Sequence, residues 1–118
     1  MMRAQRARLA ADLYASRRDR DRIFVSVDGG FGEPAWDMLL ILYIMDAGGR
    51  AATTNELLAA PNVPRDIAAP YIGWLVSKGL AAFGEVDGTV VLLEAGREMM
   101  DAYLDRRSGR GHDKKFMH

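Results

Sequence analysis

Apolar residues return at intervals of three and four along most of the chain, and glycine, proline and short charged runs interrupt them. Leu9 and Leu13, with Ala10 and Tyr14 beside them, place one apolar stripe on a helix over residues 3–22. "SRRDRDR" closes it, and cations in a last turn sit well against the carbonyl end of a helix. Val25 to Pro34, "VSVDGGFGEP", reads as a linker from its glycines, acids and proline. Pro34 suits a first helical turn. After it Trp36, Leu39, Leu40, Tyr43 and Ile44 recur at helical spacing, up to the C-cap candidates Gly48 and Gly49. This second helix is apolar on nearly all sides, which predicts a central buried position.

Arg50 to Thr53 is a short extended stub. Thr53 and Glu56 then form T-x-x-E, a capping box that opens a short helix through Ala60. "APNV" breaks the pattern, and a further helix runs to Lys78 with Gly79 as its cap. "LAAFGEV" and "TVVLL" flank Asp87-Gly88, a signal for a hairpin with a two-residue turn. A last helix spans about Ala95 to Arg107, with Met99, Met100, Tyr103 and Leu104 on its apolar side. The polar tail over 108–118 is expected to be disordered. The fold expected is mainly α with a small β-hairpin. A basic N-terminal helix (1–27) precedes a winged helix-turn-helix with a C-terminal helix (28–107), the hairpin being the wing.

Composition narrows this picture without redirecting it. The 118 residues, 49% of them hydrophobic, suit one domain with a real core. The absence of cysteine excludes disulfides and thiolate chemistry and fits a reducing compartment. The longest apolar run, Met38 to Met45, is too short to cross a membrane, and no apolar region follows the first arginines as in a secretory signal. A cytoplasmic protein with no membrane partner is expected. Net charge is zero but uneven. Residues 1–27 hold seven arginines against three aspartates, and residues 106–118 five cations against one. Residues 28–105 hold four cations (Arg50, Arg65, Lys78, Arg97) against twelve acids. Positive charge for a nucleic-acid surface must therefore come mainly from the ends.

Beyond this reading, "FGEPAWDMLLILYI", "VP…YIGWLVSKGL" and "LLEAGREMMDAYL" resemble the short winged-helix proteins of sphingomonad type related to the MarR family. The arginine-rich "YASRRDRDRIF" is similar to the segment that precedes the core domain in that family, and the likeness spans roughly residues 9–104. It implies a dimeric DNA-binding transcription regulator whose N- and C-terminal helices pair the subunits. The second helix of the helix-turn-helix would then lie in the major groove, with Arg65, Asp66, Ala69, Pro70 and Gly73 at reading positions. The short helix beginning at Thr54 and Asn55 would face a phosphate with free amides. The chain departs from the family pattern at Pro70, Gly73 and Trp74, at the wing tip Val86-Asp87-Gly88, and at Leu93.

The helix beginning at Arg65 invites a second function. Ala68, Tyr71, Ile72 and Leu75 make its expected core stripe, leaving Asp66, Ile67, Pro70, Gly73, Trp74 and Ser77 outside. Arg65 suits guanine and Asp66 a cytosine amino group, but the rest of that face offers few hydrogen bonds. Ile67, Pro70 and Trp74 would then dock a protein, making the module an adaptor or anti-regulator. In the other reading Trp74 is covered by the wing or by the N-terminal segment. Pro70 removes a ladder bond at about 3 kcal/mol unless regular helix starts at Pro70 itself. The arginines at 17, 18, 20 and 22 either track phosphate or pair with Asp19 and Asp21; the basic tail is the better electrostatic candidate. His112 and His118 lack a second ligand at metal spacing. Glu33, Asp37 and Asp46 are too scattered for an acid–base pair, and "DGGFG" is not a phosphate loop. No cofactor is expected, and no set of catalytic residue types converges, which points away from an enzyme.

Overall fold

The computed structural model describes residues 2–24 and 34–116, with side-chain surroundings for residues 2–16 and 34–106. Over these residues the chain is mainly helical, with a small three-stranded antiparallel sheet. The order is α1 (Arg3–Phe24), α2 (Pro34–Ala47), β1 (Ala52–Thr53), α3 (Thr54–Ala59), α4 (Arg65–Ser77), β2 (Ala81–Phe83), β3 (Thr89–Leu92) and α5 (Glu94–Phe116). Helix, strand, two helices, then a hairpin is an order compatible with a winged helix. The linker expected over Val25 to Pro34 lies, apart from Pro34, outside the described residues.

Helix α2 is the hub. Met38, Leu40, Leu42 and Tyr43 are at most 1% exposed, and α1, α3, α4, α5, β1 and β3 all pack against α2. The apolar circumference read from sequence is matched by neighbours on every side. Helix α1 is part of this body. Ala10 is fully buried, Leu9 and Leu13 pack on the core, and the Tyr14 hydroxyl donates to the Ala60 carbonyl at 2.8 Å.

The extended stub finds a partner far along the chain. Ala52 and Thr53 pair with Val90 and Thr89, so the sheet order is β1-β3-β2. The hairpin itself differs from expectation. Phe83 pairs with Val90, and the Gly84 amide donates to the Thr89 carbonyl at 2.9 Å, so Glu85 to Gly88 form a four-residue loop. Gly88 alone in that loop takes a positive φ, of 78°; Asp87 does not, which rules out the two-residue turn. Thr89 closes the loop instead, donating its amide to the Val86 carbonyl at 3.2 Å and its hydroxyl to the same oxygen at 2.6 Å.

Helix α5 runs past its expected end near Arg107 to Phe116, so the backbone is helical over most of the segment anticipated as a structureless tail. Glycine in that segment weakens helix by about 1 kcal/mol per residue, a bias that neighbouring good helix formers offset. Met99, placed by spacing on the apolar side, is 42% exposed, whereas Met100 and Leu104 are fully buried.

The capping box forms as its sequence predicts. Thr53 Oγ1 accepts from the Glu56 amide at 3.0 Å, and Glu56 Oε1 accepts from the Thr53 amide at 2.8 Å. Arg50 grips the same carboxylate through Nη2 at 2.7 Å, and with the Thr53 amide holds the Glu56 carboxyl down to about 2. A depressed folded value stabilises above the ordinary 4.5 and loses that contribution as pH falls towards 2. Thr53→Ala is expected to cost about 1 kcal/mol in urea unfolding at neutral pH, and Thr53→Ser much less. Equal losses for the two variants would mean that the hydroxyl is not the stabilising group.

Candidate interface on helix α4

Helix α4 turns Ala68, Ile72 and Leu75 inward, each at most 6% exposed. Tyr71, expected in that stripe, is 38% exposed. It lies one helical step off the inward arc, on the same flank as Ile67, four residues before it, and Trp74, three residues after it. Trp74 is 46% exposed, so neither the hairpin nor the N-terminal segment among the described residues covers it. The Lys78 ammonium stands 5.9 Å from its ring centroid, within cation–π range. Regular helix begins at Arg65, with Ile67 and Ala68 donating to the Pro64 carbonyl at 3.0 Å each. Pro70 is therefore interior and cannot donate the ladder bond to the Asp66 carbonyl.

The positions assigned to duplex reading come together on one surface. Arg65, Asp66, Ala69, Pro70 and Gly73 are all exposed along α4. Arg65 Nη2 donates to Asn55 Oδ1 at 3.0 Å, which ties the start of α4 to the exposed start of α3. The free amides expected at α3 are largely engaged. The Thr54 amide donates to the Gly88 carbonyl at 2.8 Å, and the Glu56 amide is taken by the Thr53 hydroxyl. The expectation of free amides at that helix start is thereby corrected: two of the first amides of α3 are already taken within the fold. Reading the sequence missed two apolar residues on the hairpin, Phe83 at 63% and Val86 at 71% exposure. Phe83 sits opposite a buried residue, Val90, so strand alternation alone hid it.

The charge on this surface is mixed. Arg65 and Lys78, on and after α4, are exposed, and so are Asp66 on the same helix and Glu85 and Asp87 on the hairpin loop. Several other arginines are held in internal pairs. Arg97 and Arg3 both bind the Asp46 carboxylate, Arg50 binds Glu56, and Arg6 binds Asp105 through Nε at 2.9 Å. Arg3, Asp46, Arg50 and Arg97 rim an open cleft of about 400 Å³ floored by Leu42 and Leu92. Tyr43 donates to Asp101 Oδ1 at 2.5 Å, and burial first, then that carboxylate, pushes its phenol well above the ordinary value. The side chains of Arg17, Arg18, Arg20 and Arg22, those of the tail cations from Arg107 onward, and those of Glu33, His112 and His118 lie outside the described residues. Asp46, weighed as a candidate acid, is a structural anion. Among the described residues no cluster of three His, Cys, Asp or Glu side chains is placed to hold a metal ion, and no helix is long and apolar enough to cross a membrane.

No family model and no solved structure matches the chain. Among curated proteins it is similar to the phenylalanine–tRNA ligase alpha subunit of Methanopyrus kandleri, at 32% identity over 93 residues. That similarity covers 75% of this chain and 18% of the subunit, so the chain spans less than a fifth of that relative's length.

Proposed function

We propose that this chain is a winged-helix protein of MarR-like type that binds double-stranded DNA as a homodimeric transcription regulator. The observation that supports it most is positional. An exposed α4 stands between the start of α3 and the β2–β3 hairpin, with Arg65 braced on Asn55 at its leading end. A groove-reading helix presents the residues of its first turns to base edges, and Arg65 is the group there best suited to a guanine. Thr54 and Asn55 then contact a phosphate, and Asp66, Ala69, Pro70 and Gly73 line the groove. The paired α1 and α5 helices of two subunits space the two reading helices.

The test is an anisotropy titration with DNA duplexes of about three helical turns at low salt. Arg65 and Lys78 are the described cations on this face, and each neutralised phosphate contributes about −0.9 to the salt slope. A slope of about −2 per protomer is expected, with Arg65→Ala lowering affinity by about tenfold or more. No binding to any genomic duplex at low salt would sink this reading. Because the similar subunit is a tRNA ligase, an RNA duplex belongs in the same titration.

A second reading is favoured by the apolar exposure at Ile67, Pro70 and Trp74 on a surface of mixed charge. In it the module docks a protein through α4. Trp74→Ala would then abolish partner binding while leaving the duplex titration unchanged.

A further inference from the structure

A groove lies along the sheet, away from α4. It consists of two open hollows that meet. The first, of about 400 Å³, is the arginine-rimmed cleft beside β1. The second, of about 450 Å³, lies at the hairpin and is lined by Phe83, Gly84, Glu85, Val86 and Thr89. Ala51 and Val91 line both and join them. The path therefore runs from the β1 side across β3 to the β2–β3 loop.

Its two ends differ in chemistry. At the first, the guanidiniums of Arg3, Arg50 and Arg97 line the cleft against the single carboxylate of Asp46. Glu56 matches Arg50 from outside the cleft. Arg3 and Arg97 share Asp46 between them, which leaves one positive charge over. Glu94 and Asp101 also act on Arg97, but neither lines the cleft. The bonds to Asp46 use Nη2 of Arg3 and the Nε and Nη2 of Arg97, and a guanidinium has further N–H donors beyond these. At the other end Phe83 is 63% and Val86 71% exposed, and the charged lining residue is Glu85. An anion is thus attracted at the arginines and repelled at the hairpin, where apolar surface stands open to water.

We propose that this groove binds a long-chain carboxylic acid, with its carboxylate at Arg3 and Arg97 and its acyl chain over Val91 towards Phe83 and Val86. Arginine forks match a carboxylate in geometry as well as in charge. Glu85 fixes the orientation, because the reversed ligand would set two carboxylates together. A peptide ending in a carboxylate fits less well. The path crosses β3 instead of following a free strand edge, so peptide amides laid along it would find no ladder to join. An acyl chain has no such groups to satisfy. None of Thr54, Asn55 or the reading positions of α4 lines the groove, so this inference stands apart from duplex binding.

The test is a calorimetric titration of the full chain with decanoate, decanol and hexanoate, each kept below its aggregation range. Decanoate should bind saturably, and decanol about tenfold more weakly or worse, since it cannot use the arginines. Hexanoate should bind about tenfold more weakly than decanoate, since its chain stops short of the hairpin. Phe83→Ser should remove most of that chain-length gain. Arg3→Gln, which leaves Arg97 on Asp46, should weaken decanoate about tenfold. Both substitutions fall at exposed positions, and the three ligands on the wild-type chain test the inference without any variant. Decanoate that fails to bind saturably overturns it. So does decanol that binds as tightly as decanoate, or a chain-length gain that survives Phe83→Ser. None of these results bears on whether the chain binds DNA.

Discussion

Gly96→Ala is expected to destabilise the fold by about 2 kcal/mol, although alanine is the better helix former. A Cβ at position 96 would lie 2.5 Å from the Leu80 carbonyl oxygen and 2.8 Å from Leu92 Cδ1. The oxygen is backbone and is already engaged, accepting from the Leu93 amide at 2.9 Å, so it cannot swing aside as a side-chain tip would. Overpacking of this kind costs about 3 kcal/mol when backbone must shift. The intrinsic gain from glycine to alanine inside a helix is about 1 kcal/mol. The clash wins, and the urea midpoint should fall with little change in slope. A midpoint that stays or rises would mean that the first turn of α5 can ride away from the β2–β3 sheet. Because α5 leaves the sheet at this joint, the same substitution should also alter how α5 sits relative to the hairpin.

What the sequence made legible was local. The capping box needs only Thr53 and Glu56, three residues apart, and forms as written. The all-round apolar pattern of α2 specifies burial whatever surrounds it. The inward stripe of α4 was readable at Ala68, Ile72 and Leu75, but Tyr71 shares their spacing well enough to pass for core. What decides its exposure is how few inward positions the neighbours of α4 can cover, which is a property of the packing. Trp74 follows the same logic. Large aromatics are mostly buried, yet the inward arc is already filled by smaller side chains. The pairing of Ala52 with Val90, and the ion pairs that join α1 and α5 to α2, link residues too distant in sequence to show a period or motif. The hairpin shows a subtler limit. Asp87-Gly88 marks a turn correctly, but the Thr89 hydroxyl selects a longer loop than the dipeptide alone implies. For the interface, residue types indicated which groups could read a duplex, and only the fold revealed that Arg65 is braced on Asn55 while the amide of Thr54 is engaged.

Asp46→Ala should cost about 2 kcal/mol at neutral pH, and the cost should vanish in acid. Asp46 sits in the last turn of α2, where the exposed carbonyl ends of the helix disfavour an anion. Two arginines reverse that preference. Arg97 reaches the carboxylate through Nε at 2.8 Å and Nη2 at 3.0 Å, and Arg3 bonds both the carboxylate and the backbone carbonyl of the same residue. One carboxylate thus fastens the start of α1 and the second turn of α5 to the end of α2. Fully exposed pairs contribute up to about 1 kcal/mol, and breaking a fully buried one costs about 3–5 kcal/mol. The Asp46 side chain is 18% exposed and that of Arg97 33%, so an intermediate value applies. Bonding to Arg97, foremost, holds the Asp46 carboxyl below its ordinary 3.8. A group lowered on folding stabilises at pH above its unfolded value and ceases to do so as pH falls through its folded value. The unfolding free energies of wild type and Asp46→Ala should therefore differ fully at pH 7 and converge below about pH 4. A gap that persists unchanged into strong acid would mean that the loss comes from packing at the α2 terminus rather than from the charge that binds the three helices.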